Sequence, residues 1–251
     1  MKNSYQRDQN EEINNLRNLI KNYGCNENLD AEEAIKKLYA RYDQLEKQRN
    51  TIWQEKRQDA QDYLQLCRKI HLFLYTDIVH NAGKFRAIEA SNNGNVYFGG
   101  ISYKTMRDKF TGTKPKLIEL ELQEAFSILL NNQYQPNESS IRFYAEFVAI
   151  HPFYDANGRI GRYITDTFLQ SLNFYVDWKS LNQRHGKFLR KLNFCHSVRE
   201  KQKVFQSCIN PNEDCSTENA RWKSIREKYI RYLCDFWNQF VKPIDELEAN
   251  E

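Results

Sequence analysis

Apolar residues recur three or four positions apart through most of this chain, and that period commits it to helices. Ile13, Leu16, Leu19, Ile20 and Tyr23 make one stripe, stopped by Gly24. Ile35, Leu38, Tyr42, Leu45 and Ile52 make a second, opened by Asp30 and Glu33 in the pattern of a capping box. Between residues 63 and 79 the apolar positions crowd all round the axis, which predicts a helix inside a core. Residues 117–131 and 139–150 read as helices again. Ile160, Ile164, Phe168 and Leu172 then lie four apart, and a last helix is expected over about 219–241. Nine glycines and five prolines in 251 residues leave few places to interrupt this pattern. The expected fold class is all-α: a helical core preceded by an N-terminal helical hairpin. Residues 1–60 are expected to form a structural or regulatory segment, and 61–251 the main domain.

One stretch departs from the helical period. Val96, Tyr97, Phe98, Ile101 and Tyr103 flank Gly99-Gly100, which predicts a short β-hairpin.

Charge and cysteines narrow the function classes. A formal net charge of +4 would tolerate a polyphosphate ligand, and the lack of a basic run speaks against nucleic acid. No apolar run reaches the roughly 20 residues of a membrane span. The polar start MKNSYQRDQNEE does not read as a signal peptide. The six cysteines form no CxxC pair, and Cys195-His196 with Cys208 and Cys215 fits no usual zinc spacing. A cytoplasmic protein with reduced thiols is expected.

The chemistry concentrates in HPFYDANGRIGR, residues 151–162. A turn alone would explain His151-Pro152 and Asn157-Gly158. It would not explain why Asp155, Arg159 and Arg162 accompany them. A loop entering a helix at about Gly158 aims unpaired N–H groups and the positive end of the helix dipole at an anion. Gly158 and the small Ala156 let phosphate oxygens approach the main chain. Arg159 and Arg162 share a helix face as rigid forks for phosphate. Asp155 offers a hard oxygen to Mg²⁺, and His151 can accept a proton near neutral pH.

These twelve residues resemble the signature of Fic-domain (Fic/Doc family) proteins: His, any, Phe, any, Asp or Glu, Gly or Ala, Asn, Gly or Lys, Arg, two of any, Arg. Every constrained position is met, and a chance match is on the order of 10⁻⁷ from average residue frequencies. Gly83-Lys84-Phe85-Arg86 resembles a second family segment, Gly-x-Tyr/Phe-Arg, and the Gly99-Gly100 hairpin falls where the family has its substrate-docking flap. The resemblance covers roughly residues 62–200.

The resemblance implies a protein adenylyltransferase, which transfers AMP from ATP to a hydroxyl side chain of a target protein and releases pyrophosphate. By position, His151 would be the base and Asp155 would hold Mg²⁺. Asn157 and the backbone around Ala156 and Gly158 would form the anion hole, with Arg159 and Arg162 on the outer phosphates. Val96, Tyr97, Phe98, Gly99, Gly100 and Ile101 would form the flap, and Phe153 would anchor the loop in the core. Gly158, where a phosphorylating branch carries Lys, points to nucleotidylation. A different donor (UMP or phosphocholine transfer) and a non-catalytic binding module are the alternatives.

Many family members silence themselves with a helix bearing Ser/Thr-x-x-x-Glu-Gly/Asn, whose glutamate pairs with the second motif arginine. The nearest approximation here is Thr51-Ile52-Trp53-Gln54-Glu55, followed by Lys56. Glu55 is therefore the candidate inhibitory residue, expected opposite Arg162. A separate inhibitory protein is the other route.

Overall fold

The computed structural model describes residues 9–25, 29–49, 59–88, 93–99, 109–131, 133–208 and 216–245. Its helices are α1 (Gln9–Tyr23), α2 (Ala31–Lys47), α3 (Ala60–Tyr75), α4 (Ile118–Leu130), α5 (Pro136–Ile150), α6 (Asn157–Gln170), α7 (Trp178–Gln183), α8 (His185–Cys208) and α9 (Ser216–Trp237). Two short antiparallel pairs complete it. Strand β1 (Tyr97–Phe98) pairs with β2 (Phe110–Thr111), and β3 (Phe174–Val176) pairs with β4 (Val241–Pro243). The fold is all-α with a small flap, as the periodicity predicts.

Helices α5 and α6 form the spine. Pro136 opens α5, where its missing N–H costs nothing, and buried side chains cover almost its whole circumference. Helix α6 lies close against it at Gly161. A Cβ added there would sit 3.1 Å from Phe147 and 3.3 Å from Tyr144, so glycine lets the two axes approach.

Two hydrophobic clusters flank this pair. In one, Leu16, Leu38, Leu64, Leu74, Phe126, Phe143, Phe147 and Ile164 unite α1 to α6. In the other, Ile141, Tyr144, Leu169, Phe188, Leu233 and Trp237 join the far sides of α5 and α6 to α7, α8 and α9. Burying each such large side chain contributes about 1.5–3 kcal/mol. The N-terminal hairpin therefore packs into the same core as the loop carrying the motif. Its end is tied down as well, with Gly24 bridging Val79 and the His80 N–H donating to the Tyr23 carbonyl at 2.9 Å.

Two local expectations need correction. Asp30 does precede α2, but its side chain makes no capping hydrogen bond, and Glu33 pairs instead with Lys37 at 2.8 Å. The expected hairpin partner was 101–103. The strand that pairs with β1 is Phe110–Thr111, in the register Tyr97↔Thr111 and Phe98↔Phe110. Gly100 and Ile101 lie outside the described residues, as does Glu55.

Candidate active site

The site begins where α5 ends. His151 follows its last turn in the left-handed conformation, φ 53° and ψ 59°. Its Nδ1 lies 3.2 Å from the Val148 carbonyl. A carbonyl only accepts, so Nδ1 carries the proton and Nε2 is left as the acceptor. Phe98 of the flap stacks on the imidazole, centroids 4.5 Å apart and planes within 10°. Burial is the main influence lowering its pKa to about 4, with Arg86 acting in the same direction, so the ring is neutral at pH 7.

The loop from 152 to 156 is held from below. Phe153 is fully buried, stacked on His71 at 4.1 Å and tilted against Phe85 at 5.1 Å. Asn157 closes the loop from the other side. Its Oδ1 accepts from the Phe153 N–H at 2.9 Å, and its Nδ2 donates to the Phe153 carbonyl at 2.8 Å. The Asn157 side chain is thus committed to bracing the loop, which leaves the backbone as the group that an anion could meet.

That backbone is suitably placed. Ala156, at φ 62°, turns the chain into α6 without a side-chain cap. The first-turn N–H groups of a helix have no intrahelical carbonyl, and they carry the positive end of its dipole. Beside them is open space: a Cβ added at Gly158 would meet only the Tyr144 hydroxyl, at 3.9 Å.

Asp155 sits under this turn, its Oδ2 accepting from the Tyr75 hydroxyl at 2.6 Å. Burial and that carboxylate push the Tyr75 phenol well up, so it stays a donor. Among the described residues no group of three or more His, Cys, Asp or Glu could hold a metal by itself. A single carboxylate fits Mg²⁺, which typically takes one or two protein oxygens and completes its shell with phosphate and water.

Both motif arginines have partners inside the protein. Arg159 bonds the carboxylate of Glu12 on α1, and its guanidinium lies 5.4 Å from the Tyr42 ring centroid. The other Glu12 oxygen accepts from the Tyr39 hydroxyl. Arg162 lies 4.9 Å over the Trp178 ring. It also acts on Asp166 four residues on, a carboxyl that burial raises to about 7 against the pull of Arg49 and Arg162. The Trp178 indole donates to both Asp166 oxygens, at 2.8 Å each.

The structure thus gathers His151, Asp155, Ala156, Asn157, Gly158, Arg159 and Arg162 on one loop and the first turns of one helix. It adds Phe98 from the flap. Neither Glu12 nor Tyr75 is among the expected site residues, and Arg86 enters there only as part of the Gly-x-Tyr/Phe-Arg segment. Glu12 carried a signal: it stands four residues before Leu16, a carboxylate on a stripe that packs inward.

The Fic/DOC family model matches residues 60–169, which span α3 to α6 and the whole motif. The chain carries a Fic domain. Members of this family typically transfer a nucleotide or another group to proteins. Among solved structures, a Fic family protein from Desulfovibrio desulfuricans is similar, at 17% identity and a TM-score of 0.47. The match covers 91% of this chain and 62% of that one, so the chain spans less than two thirds of that relative. A Fic domain-containing signalling protein from Bacteroides thetaiotaomicron gives 15% identity and a TM-score of 0.49, covering 91% of this chain and 81% of the other. The N-terminal Fic domain of a VirB-translocated Bep effector from Bartonella quintana, with bound ADP, gives 16% and 0.42, covering 85% and 89%. No curated protein matches the sequence. Among the described residues of this Fic protein no helix is long and apolar enough to cross a membrane.

Proposed function

We propose that this Fic protein is a protein adenylyltransferase, moving AMP from ATP to a hydroxyl side chain of a target protein and releasing pyrophosphate. One observation carries the reading. A histidine whose Nε2 is left as acceptor stands at one end of a six-residue loop whose other end opens a helix N-terminus.

The residues then have these roles. The first-turn N–H groups of α6 take the phosphates, beside Gly158, where no side chain intrudes. Arg159 and Arg162 reach the outer phosphates once Arg159 leaves Glu12. Asp155, oriented by Tyr75, would hold Mg²⁺, which when bound neutralises phosphate charge. Nε2 of His151 takes the proton from the target hydroxyl, and the oxygen attacks the α-phosphorus. The bond to the bridging oxygen breaks, and pyrophosphate leaves with that electron pair. The His151 pKa of about 4 rises as phosphate charge arrives beside the ring. Phe98 must first give up its place on the imidazole, so its ring turns aside before the target hydroxyl arrives.

The test uses the full chain with ATP labelled at the α- or the γ-phosphorus, alongside labelled UTP and CDP-choline. Protein-bound α-label without γ-label is expected. It should fall about 10²- to 10⁴-fold in His151→Ala, with calorimetric ATP binding kept. Bound γ-label would make the reaction a phosphorylation. Label from another donor only would reassign the nucleotide, and no label from any would leave a binding module.

A further inference from the structure

Arg86 is the most enclosed cation near the site, with 2% of its surface exposed. Its side-chain hydrogen bonds all run to carbonyls, and among the described residues it has no ion pair. Nε donates to the His151 carbonyl at 2.6 Å. One terminal nitrogen donates to Gly94, the other to Thr113 at 2.7 Å and Ile150 at 3.2 Å. Its own backbone N–H donates to the Pro152 carbonyl at 3.0 Å. Burial lowers its pKa only to about 10, so the guanidinium is charged at neutral pH.

These acceptors are not a random set. Gly94 lies just before β1 and Thr113 just after β2, so they are the two roots of the flap. Ile150 and His151 are the end of α5, where the helix dipole is negative and a cation is welcome. His151 is there in a left-handed conformation that a non-glycine residue keeps only where its surroundings hold it. The space at this junction is already full. A Cβ at Gly112 would lie 2.9 Å from an Arg86 terminal nitrogen, 3.2 Å from His151 Cβ and 2.7 Å from Val96.

We infer that Arg86 is a positioning residue that fixes the His151 imidazole and the flap strands relative to each other, through one guanidinium that holds the helix end and both flap roots. A lysine could keep the charge but not the fork, whose fixed geometry reaches several carbonyls at once. The consequence for the reaction rests on the adenylyltransferase reading. A target held along the flap would meet Nε2 at a distance set by this one side chain.

The test is Arg86→Lys in the full chain, read in two ways. The first is cross-relaxation between the Phe98 and His151 rings by NMR, which needs no activity. The second is self-labelling from α-labelled Mg-ATP at saturation, set against the calorimetric Kd for ATP. Loss of the ring contact is expected, with labelling down about 100-fold, the scale of an ångström's misplacement, and Kd within about twofold. A variant that keeps the ring contact overturns the inference, as does one that loses it and labels normally. If Arg86→Lys does not fold, Gly112→Ala crowds the same junction with Arg86 in place. It is expected to disturb the same contact, and an undisturbed contact there overturns the inference too. Loss of the contact in a protein whose parent labels from no donor supports the positioning role and removes the adenylyltransferase reading instead.

Discussion

Glu12 and Arg159 meet across 147 residues of chain, the carboxylate of the first helix on the guanidinium of the motif helix. Glu12 is 4% exposed and also takes the Tyr39 hydroxyl, so it is a built partner and not a passing surface ion. An anion already occupies the fork that a nucleotide would need. Glu12→Gln is expected to tighten Mg-ATP binding on the order of tenfold, about 1.4 kcal/mol. The same change leaves a sheltered cation without its counter-charge, which commonly costs about 3–5 kcal/mol. The nucleotide-free variant should therefore melt earlier. Calorimetry and thermal melts check both; unchanged ATP affinity would remove Arg159 from the phosphate contacts.

Tyr75 offers a cleaner probe of the cation. Its hydroxyl orients Asp155 at 2.6 Å, and a hydrogen bond to a charged group contributes about 1.5–3 kcal/mol. Tyr75→Phe is expected to weaken ATP binding roughly threefold to tenfold in Mg²⁺, since only part of that energy bears on the metal. In EDTA the two proteins should bind ATP alike. Equal losses in both buffers would mean that Asp155 does not serve a metal.

Asn157 and His151 should separate stability from chemistry. Asn157→Ala removes both bonds to the Phe153 backbone. It should cost about 2 kcal/mol, a Tm drop of roughly 4–8 °C, and ATP affinity should fall with it. His151→Ala should keep both quantities and lose transfer alone. Identical thermal and binding behaviour in the two variants would deny Asn157 its bracing role.

Stability should rise with pH between about 4 and 6.5. Burial lowers His71 to about 3, and His151 and His196 to about 4. In that window the unfolded chain binds protons that these three native rings refuse, and acid pulls the equilibrium towards unfolding. Asp166, raised to about 7, works the other way by holding one proton that the unfolded chain releases. Glu146, held low by Arg226 and Arg199 against its burial, adds to the histidine sense only at more acid pH. Three protons less one give a slope of roughly 2.7 kcal/mol per pH unit near pH 5. His196→Leu should halve it. Denaturant melts at pH 5, 6 and 7 measure this, and stability that falls from pH 5 to 6.5 would contradict it.

The helices were legible because most of them bury an apolar stripe. Helix α8 was not foreseen, because its inward face mixes Phe188 and Leu192 with His196 and Arg199 while Phe194 and Val204 face water. A two-residue strand such as Phe110–Thr111 is too short to show any period. The motif gave the residue types of the site but not the direction each side chain takes. Asn157 turns inward to Phe153, and Arg159 finds a carboxylate near the other end of the chain. Local spacing does not encode partners at that separation.

Helix α5 is a party wall. Phe143 and Phe147 furnish the room on one side, Ile141 and Tyr144 the room on the other, and the wall ends in His151. Because interiors are packed too tightly to absorb a volume change locally, an altered side chain in either room leans on the wall. Trp237, on the last helix, is such a side chain: its indole reaches the Ser140 hydroxyl at 3.0 Å, low on the same helix. A change at Trp237 can therefore move the imidazole without touching anything near it. The tolerance of the imidazole to change is set by the tenants on both sides, and the twelve motif residues carry no record of them.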